Sequence, residues 1–99
     1  MKKETEEKVH QLIGQVNHPA INDSLQHLGI IQSTQIKDEN VEVVFAFPFP
    51  NIPIADQLIG SVARPLSEIG VQMKYRIVVM TEEEKARFMQ LEAEGWKGM

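Results

Sequence analysis

Phe47-Pro48-Phe49-Pro50-Asn51-Ile52-Pro53-Ile54-Ala55-Asp56-Gln57-Leu58 holds three of the five prolines and two of the four phenylalanines of a 99-residue chain. Proline lacks an N–H and fixes φ, so residues 48 to 53 continue neither a strand ladder nor a helix. The segment is expected to be a stiff loop. The run before it, Val41-Glu42-Val43-Val44-Phe45-Ala46-Phe47, alternates with the period of a strand that buries one face. Beyond it, Ala55, Leu58, Ile59, Val62, Leu66 and Ile69 recur as one stripe of a helix ending at Gly70, a C′ residue. Pro53 suits the first turn of that helix, and Asp56 lies near its positive dipole end. Pro65 predicts a kink near residues 61 to 65.

Two readings of the loop follow. In one it is a rigid, partly buried connection. In the other Phe49, Asn51, Ile52, Ile54 and Asp56 form a contact surface for a partner, on a backbone whose stiffness lowers the ordering cost of binding. Aromatic content does not separate them, because loop aromatics are found both buried and exposed.

Elsewhere the pattern is regular. Val9, Leu12, Ile13 and Val16 predict an amphipathic helix from about Thr5 to Val16, ended by Asn17-His18-Pro19. Asn22, Asp23 and Ser24 favour turns. Leu28 to Ile36 reads as a strand joined by Lys37-Asp38-Glu39-Asn40 to the strand at 41–47, as an antiparallel hairpin. Val71 to Met80 alternates, with Val71, Met73, Tyr75, Ile77 and Val79 on one face and Gln72, Lys74 and Arg76 on the other. Thr81 and Glu84 form a capping box for a final helix to about Glu94. Its sparse apolar residues, Phe88, Met89, Leu91 and Ala93, predict loose docking or packing against another chain.

The expected fold class is therefore α+β: one αββαβ domain (1–80) with a three-stranded mixed sheet and helices on one face, plus a C-terminal helical extension (81–99). A right-handed crossover makes the strands at 41–47 and 71–80 parallel. Placing the last strand beside the first gives the spatial order 2-1-3. Val44, Ala46, Val78 and Met80 leave one end of the opposite face apolar, to be covered by the last helix or by a second copy in a homodimer.

Composition narrows the function. A net charge of −4 with dispersed basic residues argues against nucleic acid as a partner. The chain has no cysteine, which removes disulfides, thiolate ligands and cysteine nucleophiles. No run of about 18 apolar residues exists to enter a membrane, and the charged N-terminal stretch makes the cytoplasm the expected location. His10, His18 and His27 do not form a ligand pair, no phosphate-binding glycine loop occurs, and Ser24, Ser33, Ser61 and Ser67 lie in no nucleophile elbow. No metal or other cofactor and no catalytic residue are expected.

His18-Pro19-Ala20-Ile21-Asn22-Asp23-Ser24-Leu25-Gln26-His27-Leu28-Gly29-Ile30-Ile31 resembles the Asp-Pro-Glu-(x)-Asp-Leu-Gly-(Leu/Met)-Val signature of the small iron–sulfur cluster assembly domains, which include SufT-like and PaaD-like proteins and the N-terminal domain of Mrp-type ATPases. Pro19, Leu28 and Gly29 match; His18 and His27 replace the two acids. The family's loop commonly reads Thr-x-x-x-Cys-Pro, with an acid three residues after that proline in some members. The match puts Pro53 and Asp56 on these positions and Ile52 where the cysteine would be. Isoleucine offers no lone pair to iron. The resemblance thus implies a non-enzymatic accessory or adaptor module with a protein partner from iron–sulfur maturation, and no bound cluster. The alternative is a small-molecule or metal-dependent activity in a pocket of Ser24, His27 and Asp56, with His27 as a general base. A K-homology-like RNA module lacks its Gly-x-x-Gly clamp and a basic face.

Overall fold

A computed structural model describes residues 1–97. The elements are α1 (Lys3–Gly14), β1 (Ile31–Lys37), β2 (Asn40–Phe47), α2 (Ala55–Glu68), β3 (Gln72–Val79) and α3 (Glu82–Gly95). They form the expected α+β arrangement around one mixed sheet. β2 pairs antiparallel with β1 and parallel with β3.

The strand order is β1-β2-β3, which corrects the expected 2-1-3. β2 takes the centre because it is the strand able to bury both faces. Val41, Val43, Phe45 and Phe47 are buried on one side, and Ala46 is buried on the other. β1 is polar and mostly solvated, as suits an edge. The hairpin is tighter than expected. Lys37 pairs with Asn40 and leaves Asp38-Glu39 as the loop, with Asp38 at φ 54, a region that Asp tolerates better than most residues.

β1 also starts later than expected. Gly29 takes φ 84, and the Ile30 N–H donates to the Leu25 carbonyl at 3.0 Å, so the chain is still turning there. Leu28 and Ile30 are buried from this turn rather than from a strand. At the far end of α2, Gly70 sits at φ 77 and closes a Schellman motif. The Val71 N–H donates to the Leu66 carbonyl at 2.9 Å, and the Gly70 N–H donates to the Ser67 carbonyl at 3.0 Å. α2 itself continues unbroken through Pro65.

The β3 register confirms the alternation but not its burial. Tyr75, Ile77 and Val79 sit opposite Val43, Phe45 and Phe47, yet each remains about half exposed. β3 is an edge strand, and the helical layer shields Val71 and Met73 far better than the residues beyond them. The Tyr75 ring stands edge-on to Phe45, with centroids 6.0 Å apart.

α3 docks on its own chain, the first of the two placements expected for it. The capping box forms as predicted: the Thr81 N–H donates to Glu84 Oε1 at 2.8 Å, and the Glu84 N–H donates to Thr81 Oγ1 at 3.2 Å. From there Gln32 Nε2 donates to Glu84 Oε2 at 3.3 Å, and Arg87 lies beside Gly29. At its end the Asn22 N–H donates to the Gly95 carbonyl at 2.7 Å, and the Lys97 N–H donates to the Ala20 carbonyl at 3.0 Å. These anchors lay the helix along residues 20 to 32, and Phe88 enters the core. Ala46 and Met80, at the apolar end of the opposite face, are also buried.

Candidate functional site

β2 runs directly into the proline loop, and α3 returns past the same end of the sheet. Between them lies a cleft of about 380 Å³. One wall is the loop and the start of α2: Phe47, Pro48, Phe49, Ile52, Ile54 and Leu58. The other is α3 with Phe88, Met89, Glu92 and Trp96, and His18, Ala20 and Ile30 complete it. A depression of similar volume lies on the open sheet face, lined by Ser33, Gln35, Lys37, Glu42, Lys74 and Arg76 among others. Its lining carries several charged side chains, with Lys37 Nζ 3.0 Å from Glu42 Oε2, whereas the first cleft is nearly all hydrocarbon.

The loop's shape follows from its sequence. Pro48 is buried and Pro50 exposed, which turns Phe49 outward at 48% exposure. Lys85 Nζ of α3 stands 4.3 Å above its ring centroid, so the aromatic bridges the mouth of the cleft. Asn51 sits at the exposed tip with φ 59, where Asn is among the residues best suited. The Ala55 N–H then donates to the Ile52 carbonyl at 3.1 Å, with Pro53 second in that turn. Pro53 therefore precedes α2 rather than entering its first turn, and Ile54 is the N-cap residue. Ile52 and Ile54 are partly buried against the core and face the cleft.

The remaining site candidates do not line the cleft. Asp56 is exposed in the first turn of α2 and does not line the cleft. His27 Nδ1 is 2.6 Å from Asp23 Oδ2, and the His27 N–H donates to Ser24 Oγ at 3.1 Å. The histidine holds the Asp23 carboxyl below the usual carboxylate range. Ser24 and His27 are thus brought together in a local turn, but no hydrogen bond joins either to Asp56 among the described residues.

His18 is the functional candidate that sequence reading missed. It is 7% exposed, and its Nδ1 accepts from the Ala20 N–H at 3.0 Å. That bond fixes the neutral tautomer with the proton on Nε2. Burial, and then the nearby Lys97 charge, push its pKa below the ordinary value of 6.5. Nε2 has no hydrogen-bond partner among the described residues, while the ring lines the cleft. A His-Pro-Ala sequence in which a side chain can cap a backbone N–H two residues on was the available signal.

The described residues contain no group of three or more His, Asp or Glu side chains able to hold a metal ion, and there is no cysteine. They do not fit a resident iron–sulfur cluster. No described helix is long and apolar enough to cross a membrane.

The fold is similar to that in a crystal structure of a domain of unknown function, DUF59, from Bacillus anthracis, with a TM-score of 0.68, 17% identity and 94% of each chain covered. No curated protein matches the chain. The model of the family described as iron–sulfur cluster assembly protein matches residues 6–72, well over half of the sequence. The chain belongs to the iron–sulfur cluster assembly protein family.

Proposed function

We propose that this protein is a non-enzymatic accessory module of iron–sulfur protein maturation, related to the SufT-like and Mrp-like domains, which docks a client or assembly protein at the cleft beside the proline loop. The observation that carries this reading is the placement of Phe49. An aromatic half exposed on a proline-stiffened loop, at the mouth of an apolar cleft, has the character of a binding anchor. Met89 and Trp96, 48% and 51% exposed, extend the apolar rim on the α3 side. With Ile52 at the loop position where a thiolate would sit, the chain has hydrocarbon there, packed against the core, and no metal ligand.

The module works in this reading by holding a partner, not by handling iron. Its cellular site is the cytoplasm, where its partners are assembled. The exposed apolar edge of β3, at Tyr75, Ile77 and Val79, is the surface on which a homodimer would form.

Complementation tests the proposal. Cells lacking the protein receive wild type or Phe49→Asp at equal abundance, and the activity of their iron–sulfur enzymes is measured. Loss of those activities with a folded, abundant variant is the expected result. Full activity with Phe49→Asp would overturn the proposal.

A further inference from the structure

β3 ends the sheet with its outer side open. It pairs with β2 alone, runs for eight residues in an unbroken register, and exposes side chains on both faces. The Met80 N–H donates to the Phe47 carbonyl at 2.8 Å, so the even-numbered residues of β3 turn their main-chain groups towards β2. Main-chain direction alternates along a strand, which leaves the N–H and C=O of Tyr75, Ile77 and Val79 facing outward. The side chains of the same three residues are each about half exposed on the helix face. An edge of this length and composition is a template for another strand. The opposite edge is blunted, because β1 is polar and its register shifts between Ile31 and Ser33.

We infer that two copies of this chain associate by antiparallel pairing of β3 with β3, with Ile77 on the two-fold axis, so that two three-stranded sheets become one of six strands. This rests on the homodimer surface named above, for which it supplies the register, and not on docking at the cleft.

Charge and closure select a second copy in this register. Lys74 and Arg76 lie on the open face, opposite Glu42 and Val44 of β2, and neither has an ion-pair partner among the described residues. Centring the pairing on Tyr75 sets Lys74 opposite Arg76 of the second copy, and centring it on Arg76 sets two arginines opposite each other. Like charges directly opposite destabilise a sheet. Centring on Ile77 moves Lys74 opposite Met80 and Arg76 opposite Val78. Lys74 then lies beside the start of the second copy's α3, where Glu82 and Glu83 bring opposite charge. Centring on Val78 also separates the cations, but Tyr75 then faces Thr81, beyond the strand, and the ladder shortens. On the helix face of the Ile77 register, Ile77 meets Ile77 and Tyr75 meets Val79, and each pair exchanges main-chain hydrogen bonds. The two-fold also closes the assembly, since the edges left outside are the two interrupted β1 strands. A strand edge and one row of side chains make less than a standard interface of about 1,200 to 2,000 Å², so association depends on concentration.

The absence of cysteine lets single-cysteine variants report the register without background. Tyr75→Cys, Ile77→Cys and Val79→Cys are treated with a short bis-maleimide crosslinker, singly and mixed in pairs, with Gln35→Cys at an exposed position of β1 as control. In the inferred register two copies of Tyr75 are four residues apart along the ladder, about 13 Å, and so are two copies of Val79. The expected result is a dimer from Ile77→Cys alone, a dimer from Tyr75→Cys and Val79→Cys only when they are mixed, and none from Gln35→Cys. Sedimentation of the wild type should show the mass rising from one chain towards two between about 10 μM and 1 mM. Ile77→Lys, at a half-exposed position, sets two cations on the axis and should keep the chain monomeric with an unchanged circular dichroism spectrum.

A wild type that stays monomeric throughout, an Ile77→Lys variant that dimerises as the wild type does, self-crosslinking of Tyr75→Cys or Val79→Cys, or equal crosslinking at Gln35→Cys would overturn the inference. The two proposals fail separately. A monomer in which Phe49→Asp abolishes complementation keeps the docking role and loses the strand pairing. A dimer in this register whose Phe49→Asp variant complements fully keeps the strand pairing and loses the docking role.

Discussion

Replacing Phe49 and Ile52 by Asp, one at a time, should give opposite results although both residues lie in the same proline loop. Phe49 is 48% exposed, so its replacement strands no carboxylate in the interior. The loss is the partial burial of a ring and a cation–π contact with Lys85, the latter worth about 0.5 to 1 kcal/mol at an exposed site. The new carboxylate would lie near Lys85, and attraction between them offsets part of that loss. The net cost should stay below about 1 kcal/mol, a change of no more than roughly 4 to 8 °C in Tm for a domain of this size. Ile52 packs against the core and faces hydrocarbon. Its replacement removes apolar burial and forces a carboxylate towards an apolar surface, at about 2 to 4 kcal/mol. Urea denaturation followed by circular dichroism measures both, with the slopes compared to confirm that the unfolded states match. Equal destabilisation by the two variants would refute the separation of Phe49 as contact and Ile52 as scaffold.

Other outcomes follow from particular atoms. Burial lowers the His18 pKa, so the unfolded chain takes up the proton first. The stability associated with the neutral ring is present above the ordinary value of 6.5 and declines as the pH falls below it, and His18→Asn should flatten that part of a stability profile between about pH 7 and pH 5. Gly29→Ala should cost about 1 kcal/mol because its φ of 84 disfavours any Cβ, whereas Gly60→Ala, inside α2 with open space around it, should stabilise by about 0.5 to 1 kcal/mol; thermal melts of the pair check the sign of each. Anaerobic reconstitution with iron and sulfide should leave no stoichiometric cluster by visible absorbance and iron analysis, and one cluster per chain would refute the ligand argument.

The elements that were legible in the sequence are those whose local signals and tertiary surroundings agree. The Schellman end of α2 is written in Gly70, the α3 start in Thr81 and Glu84, and the centre of the sheet in the alternation of Val41 to Phe47. The start of β1 was not legible, because Leu28 and Ile30 look like strand residues while Gly29 turns the backbone between them. The β3 alternation gave the faces correctly but not their covering, since the helical layer leaves Tyr75, Ile77 and Val79 half open. Half of the cleft was visible as the proline loop. The other half was hidden because α3 is weakly amphipathic and is held by backbone bonds to residues 20 and 22, which no periodicity announces. His18 looked like a departure from the family signature; its bond to the Ala20 N–H and its place in the cleft emerge only when residues 47–58 and α3 close around it.

The docking claim is tested most directly by a photo-crosslinking amino acid placed at position 49 in the native cell, with position 35 on the open sheet face as the control. The account predicts a discrete adduct with an iron–sulfur protein or assembly factor from position 49, absent from position 35 and lost when Met89→Asp, at the exposed rim of the cleft, is introduced beside the crosslinker. No adduct at position 49, or the same adducts from both positions, would contradict it.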